Sequence, residues 1–380
     1  MTEGLVVGID ASRNRSGGAK AHLAGILSEG DPLKHGVEEV HVWTYASLLD
    51  SIPERPWLVK HNPRELEQSL AKQLCWQATK LSSEVAAAGC DILFTTDAST
   101  FCRFKPMVVM SQDMLPYEPG MMKYFGFTRD RLRLLTILYL QNRAMRAADG
   151  VIFLSRYASK VIQQSCGPLS HIAFIPHGIG ADFKHSEAAQ DWPVSNEHPV
   201  RCIYVSDTMM YKHQWMVVKA IARLRRQGYN VALQLIGDGS GRAQRLLDQE
   251  IARCDPNRTF VTQTGFVPHK ELPANLVNSD LFVFASGCEN MPVSLLEAMA
   301  VGLPIACSNR GPMPEVLQDG GVYFDPENPD SIAAAMERLI CDRALRERVA
   351  QRAKQLSEQY SWSRCSEETW RFITETLRSV

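Results

Sequence analysis

Short β-branched apolar runs alternate with amphipathic stretches of helical period through most of the chain. That alternation predicts βαβ units and parallel sheets. One series of strands is expected at residues 5–9, 39–43, 92–95, 107–110, 151–154 and 171–175. A second is expected at 201–205, 232–236, 259–262, 281–284, 304–307 and 321–324. Between them, residues 186–199 are polar, contain prolines and lack any period, which reads as a linker. The expected organisation is a Rossmann-like domain over 1–185, the linker 186–199, a second Rossmann-like domain over 200–360, and a last segment, 361–380. In that segment a helix bearing Trp370 and Phe372 is expected to pack back on the first domain.

Composition narrows the class without changing this picture. At 380 residues with 45% apolar content, the chain is long enough for two cores. Lysine plus arginine (41) nearly balances aspartate plus glutamate (42), so no overall field favours nucleic acid. Ten cysteines are scattered without a CxxC pair, which argues against a zinc site or a disulfide framework and for a reducing compartment. The first residues lack a basic, then apolar, leader, and no run of about 18 apolar residues occurs. A cytoplasmic protein is expected, peripheral to a membrane at most.

The chemistry concentrates in Gly287-Cys288-Glu289-Asn290-Met291-Pro292-Val293-Ser294-Leu295-Leu296-Glu297. Pro292 suits a first helical position and Gly302 the residue just past the last turn. The spacing then puts Glu289 before a short helix and Glu297 inside it, about 7 Å further along the axis at ~1.5 Å per residue. Free amides and the dipole at the helix start make an anion site. An anion with hydroxyl-bearing groups on both sides fits the two carboxylates.

Other residues carry a chemical and a plain reading side by side. Gly17 and Gly18, after the first strand and near Arg13 and Arg15, either let backbone amides approach an anion or form a tight packed turn. Lys212, after the first strand of the second series, either neutralises a leaving diphosphate or is a surface lysine. Gly237 lies in Gly237-Asp238-Gly239-Ser240-Gly241, whose spacing fails the dinucleotide pattern because Arg242 falls where a third glycine belongs; it reads as a strand-ending turn. Phe266 and Val267 either line a nucleobase pocket or pack a loop. Asp113 either accepts a proton from an acceptor hydroxyl or caps a turn. His177 reads as structural. The stretch 123–146 mixes Leu132, Leu134, Leu135 and Tyr139 with Lys123, Arg129, Arg131, Arg133, Arg143 and Arg146, either a lipid-facing helix or a core helix with basic ends.

These residues resemble glycosyltransferase family 4, the retaining sugar transferases of the GT-B fold. The resemblance rests first on Glu289 to Glu297 as an E-x7-E motif, followed by Ala298-Met299-Ala300-Val301-Gly302-Leu303-Pro304. Ser16-Gly17-Gly18-Ala19, Phe153-Leu154-Ser155-Arg156-Tyr157, Ile175-Pro176-His177-Gly178, Ile236-Gly237-Asp238-Gly239 and Gly265-Phe266-Val267 recur with it in family order. It implies an α/β fold of two Rossmann-like parallel-sheet domains facing a central cleft. It further implies transfer of a hexosyl residue, with a lean to mannosyl, from a nucleotide-diphosphate sugar to a glycan or lipid-linked acceptor, with no metal and no cofactor. Carried over, Glu289 meets donor-sugar hydroxyls and Glu297 the ribose, while Lys212, the amides of Asn290 and Met291 beside Pro292, and the Gly17-Gly18 loop hold the diphosphate. Two positions depart from the family: Asp207 stands where an arginine is usual, and Gln112 where a histidine is frequent. The rival expectations are a catalytically silent sugar-nucleotide-binding or scaffold subunit and a GT-B epimerase or phosphorylase.

Overall fold

A computed structural model describes residues 4–15, 17–186, 192 and 197–380. The chain forms two compact units, Met1–Gly178 with Tyr360–Val380, and Ile179–Gln359.

The first unit is built on seven strands, β1 (Leu5–Asp10), β2 (Val37–Trp43), β3 (Leu58–His61), β4 (Ile92–Thr95), β5 (Met107–Ser111), β6 (Gly150–Phe153) and β7 (Ile172–Phe174). They run parallel in the order β3-β2-β1-β4-β5-β6-β7. The central β4 and β5 are buried along their whole length, as parallel strands covered on both faces must be, hence their apolar runs Ile92–Phe94 and Met107–Met110 ahead of a polar last residue. The edge strand β3 was not expected. Its Leu58-Val59-Lys60-His61 is short, half polar and preceded by Pro53 and Pro56, so it lacks an apolar run. Its pairing with β2 is reinforced where His61 stacks on Trp43, ring centroids 4.5 Å apart.

The C-terminal helix Trp362–Ser379 closes this unit by packing on the Gly17–Glu29 helix. Gly25 is required there, because a Cβ at that position would lie 2.4 Å from the Trp362 ring. Ser366 Oγ donates to Ile26 O (2.8 Å), and His171 Nε2 meets Thr376 Oγ1 (2.9 Å), so both ends of the helix are tied down.

The second unit has six strands, β8 (Val200–Val205), β9 (Val231–Ile236), β10 (Val261–Gly265), β11 (Leu281–Phe284), β12 (Ile305–Ser308) and β13 (Val322–Phe324). They are parallel in the order β10-β9-β8-β11-β12-β13. Its crossover helix Gln214–Arg226 buries Trp215, Val217, Val218, Ala220, Ile221 and Leu224 against the sheet. The first unit ends at Gly178, not at 185, because the short helix Ala181–Lys184 belongs to the second unit and packs on the Val293–Val301 helix there. Of the expected linker, 187–191 and 193–196 lie outside the described residues; Trp192 lies under the Arg346 guanidinium, 3.7 Å from its ring centroid.

In each sheet the strand order reverses beside the first strand, between β1 and β4 and between β8 and β11. Loops leaving the carboxyl ends of those strands flank the crevice where open α/β sheets receive ligands. In the second unit these are the loops carrying Lys212 and Glu289.

Candidate active site

The loop after β8 turns through Met210–Lys212 into the Gln214–Arg226 helix, and the loop after β11 runs from Ala285 into the Val293–Val301 helix. Two hydrogen bonds strap the two together, Gly287 N–H donating to Tyr211 O (2.6 Å) and His213 Nδ1 meeting Ala285 O (3.1 Å), while Tyr204 O–H in β8 donates to Lys212 O (2.7 Å) and holds the first loop to its own strand. Buried His213 holds a left-handed backbone (φ 51, ψ 29), which costs a non-glycine residue about 1 kcal/mol. The conformation turns the chain so that Lys212 Nζ forms an ion pair with Glu289 Oε1. Sequence reasoning missed His213; the signal was a histidine immediately before a helix that has no Ser, Thr, Asp or Asn cap.

The Val293–Val301 helix is short and ends as expected, with Gly302 in the left-handed conformation (φ 82). Pro292 is corrected by one position. It is the cap, not the first helical residue (φ −82, ψ 85), and its carbonyl accepts from Leu295 N and Leu296 N. Asn290 and Met291 are buried in the approach to the helix, at whose start the amides of Val293 and Ser294 have no acceptor within the turn. Glu297 is buried at 4% exposure, one turn inside. Burial pushes its carboxyl up, and a hydrogen bond from His269 opposes that shift. His269 Nε2 donates to Glu297 Oε1 at 2.7 Å. The bond holds the imidazole above its ordinary pKa against the burial that lowers it. His269 was also missed; it lies just past the Gly265-Phe266-Val267-Pro268 segment.

Gly237 is glycine for backbone reasons, since its φ is 132 and a Cβ there would lie 2.3 Å from Ser206 O. Asp207, which stands where an arginine is usual, is a brace: its Oδ1 accepts from Asp238 N (3.2 Å), and Asp238 Oδ1 accepts from Phe266 N (3.0 Å). The chain of bonds knits the loops after β8, β9 and β10. The Phe266 ring is exposed and Val267 half-buried at the end of β10.

In the first unit, Gly17 and Gly18 open the Gly17–Glu29 helix, and a Cβ on either would meet nothing within 4 Å. They are therefore not packed for steric reasons; Ser16 lies outside the described residues. Arg15 stacks on Tyr45, 3.6 Å from its centroid. Half-buried Asp113 caps a turn, accepting from Leu115 N (3.0 Å). Burial pushes its carboxyl up to about 6, Leu115 N–H and Arg133 pulling against it and Asp97 adding to it. Gln112 Nε2 donates to Thr96 O (2.8 Å), a backbone tie. His177 is buried with its Nδ1 3.1 Å from His22 Nδ1, both rings held below the ordinary range by burial, His177 to about 4.

Residues 187–356 match the family described as Glycosyl transferases group 1. The O-antigen chain mannosyltransferase B of Escherichia coli is 34% identical over 110 residues, 29% of this chain and 29% of that protein. The GDP-mannose-dependent alpha-(1-6)-phosphatidylinositol monomannoside mannosyltransferase of Mycobacterium tuberculosis is 30% identical over 213 residues, 51% of this chain and 53% of that one. The chain thus spans about half or less of the length of these relatives. Among solved structures, sucrose-phosphate synthase from Thermosynechococcus elongatus superimposes with a TM-score of 0.76 at 17% identity, covering 99% of this chain and 100% of that one, a likeness of fold. Residues 187–356 therefore carry a group 1 glycosyltransferase domain, which lies in the second unit, and the chain has the GT-B fold.

Proposed function

We propose that the protein is a retaining glycosyltransferase that moves a hexosyl residue, mannosyl first among the choices, from a nucleotide-diphosphate sugar to a hydroxyl of a glycan or lipid-linked acceptor. The observation that carries this is the Lys212–Glu289 ion pair at the start of a helix that holds Glu297 one turn further in. In this reading the diphosphate takes Lys212 and the helix amides, the sugar hydroxyls take Glu289, and the ribose takes Glu297. Fixed charges of this kind stabilise a departing diphosphate without moving at the moment of reaction. The acceptor oxygen bonds to the anomeric carbon as the bond from that carbon to the diphosphate oxygen breaks, on the same face, so configuration is retained. The acceptor's proton passes to the Asp113 carboxylate, while the departing oxygen accepts a hydrogen bond from the same hydroxyl and so helps draw it in. The mannosyl preference rests on the names of the two relatives above. Purified protein supplied with GDP-mannose or UDP-glucose and no acceptor tests the reading. Slow release of the nucleoside diphosphate from one donor supports it, and inertness of every donor, with and without glycan or lipid acceptors, contradicts it.

The acceptor side of the proposal adds contact with an anionic membrane through the Arg129–Ala147 helix. Leu134, Ala144 and Met145 are buried, so this helix has a core face. Its outer face carries Leu132 (67% exposed), Leu135 (47%) and Tyr139 (66%), with Phe127 fully exposed just before it. Arg129, Arg133 and Arg143 stand around that ridge, which is the composition of a surface helix at a lipid interface. Each such arginine contributes about 1 kcal/mol near anionic lipid. No helix among the described residues is long and apolar enough to cross a membrane. Co-sedimentation with phosphatidylglycerol vesicles, lost when the three arginines become glutamine, supports this contact; equal failure to pellet with anionic and neutral vesicles contradicts it.

A further inference from the structure

Every described neighbour of Glu297 along its own helix from Leu295 to Val301 is apolar and buried. An ionised carboxylate in that setting is costly unless it is paired and hydrogen-bonded. The partner comes from another element. His269, in the turn His269–Glu271 after β10, reaches from a position 64% exposed to a carboxylate whose side chain is 6% exposed. Its ring rests against Phe183 of the Ala181–Lys184 helix, centroids 5.1 Å apart. The charged groups around it are Glu297, then Asp182 on that same short helix, with Lys270 and Glu271 flanking it in its own turn. The hydrogen bond engages Oε1 and fixes the rotamer of a carboxylate that has a second oxygen to offer.

Resting on the donor-site reading above, we propose that His269 is a positioning residue for Glu297: it holds Oε1, keeps the carboxylate charged within an apolar helix, and leaves Oε2 for the ribose hydroxyls of a nucleoside diphosphate. Without the imidazole, the desolvated Glu297 takes up a proton more readily, and a protonated acid is a poorer acceptor for two hydroxyls. The loss of affinity on the acid side should then begin at a higher pH.

Calorimetric titration with GDP and with UDP, from pH 5 to 8, tests this on the wild type, His269→Ala, His269→Lys and Glu297→Gln. At pH 8 His269→Ala should bind the better nucleotide within about tenfold of wild type, and its acid-side loss should begin about one pH unit higher. His269→Lys, a permanently charged donor, should bring that limb back down. A merely structural role would lower affinity equally at all pH values. The ligand-free melting temperature of each variant reports folding, and if His269→Ala melts early the comparison of His269→Lys with wild type carries the test. An acid limb unchanged in His269→Ala, with Glu297→Gln clearly weakened, overturns the positioning role and leaves the donor site standing. Wild-type affinity in Glu297→Gln, or no binding of either nucleotide, overturns the donor-site reading and this inference with it.

Discussion

The two units place loops at the same topological point and fill them with different chemistry. At the end of β1 the first unit has a hydrogen-bonded network of short polar groups. Asp10 accepts from Ser12 N (3.1 Å) and Gln77 Nε2 (2.6 Å), Thr96 donates to Asn14 Oδ1 (2.7 Å), and Tyr45 O–H donates to Asn14 O (2.6 Å). Burial pushes the Asp10 carboxyl up, towards the neutral form. At the ends of β8, β10 and β11 the second unit has acid–base partners in contact, Lys212 with Glu289 and His269 with Glu297. A network whose buried carboxylate is held by uncharged donors fixes backbone shape, whereas paired acids and bases can exchange partners with a charged ligand. Fold supplies the location, and residue type decides what each location does.

The sharpest way to break this contrast is Lys212→Ala. If the second unit stabilises the leaving diphosphate, the turnover number should fall about a hundredfold or more, the range for a lost oxyanion donor. Activity should survive EDTA; a strict requirement for added magnesium would assign that charge to a metal instead. Next in size is Glu297→Ala, which removes a charged acceptor and should weaken nucleoside diphosphate binding by roughly 1.5–3 kcal/mol, read by calorimetry.

Asp113 sharpens the comparison from the first unit. As a proton acceptor it must be ionised, so turnover should rise with pH through about 6. Its raised pKa also means that ionisation works against the fold. That penalty is fully present above about 6 and vanishes below the ordinary aspartate range, so Asp113→Asn should melt higher than wild type at pH 7, with the difference gone by about pH 3. A less active but more stable variant separates a working group from a turn cap. The smallest effect expected is at Asp207, where alanine should cost about 0.5 kcal/mol of stability and leave donor affinity alone, since its bond braces Asp238.

How far the sequence could be read depended on whether a feature is local. β4 and β11 stand out as apolar runs bounded by polar residues, and the short helix between Pro292 and Gly302 is delimited by its own punctuation. β3 does not stand out, because an edge strand with Lys60 and His61 needs no apolar run and its stabilising stack on Trp43 is a cross-strand contact. The same divide runs through the site. The eight-residue interval from Glu289 to Glu297 is visible along the chain, but their partners are not: Lys212 and His269 are 77 and 28 residues away from them. Asp207 looked misplaced for the same reason, since the amide it braces belongs to another loop. The exposure of Leu132, Leu135 and Tyr139 was equally undecidable from composition, because a core face and a lipid face share the same leucines and of these only Leu134 is buried.

The central claim is that the second unit binds a nucleoside diphosphate between two carboxylates with separate duties. Calorimetry of GDP and UDP on wild type, Glu289→Ala and Glu297→Ala tests it most directly. The account predicts that one nucleotide binds the wild type, that Glu289→Ala binds it nearly as well, and that Glu297→Ala binds it roughly tenfold or more weakly. Indistinguishable affinities in all three proteins, or no binding to any, would contradict it.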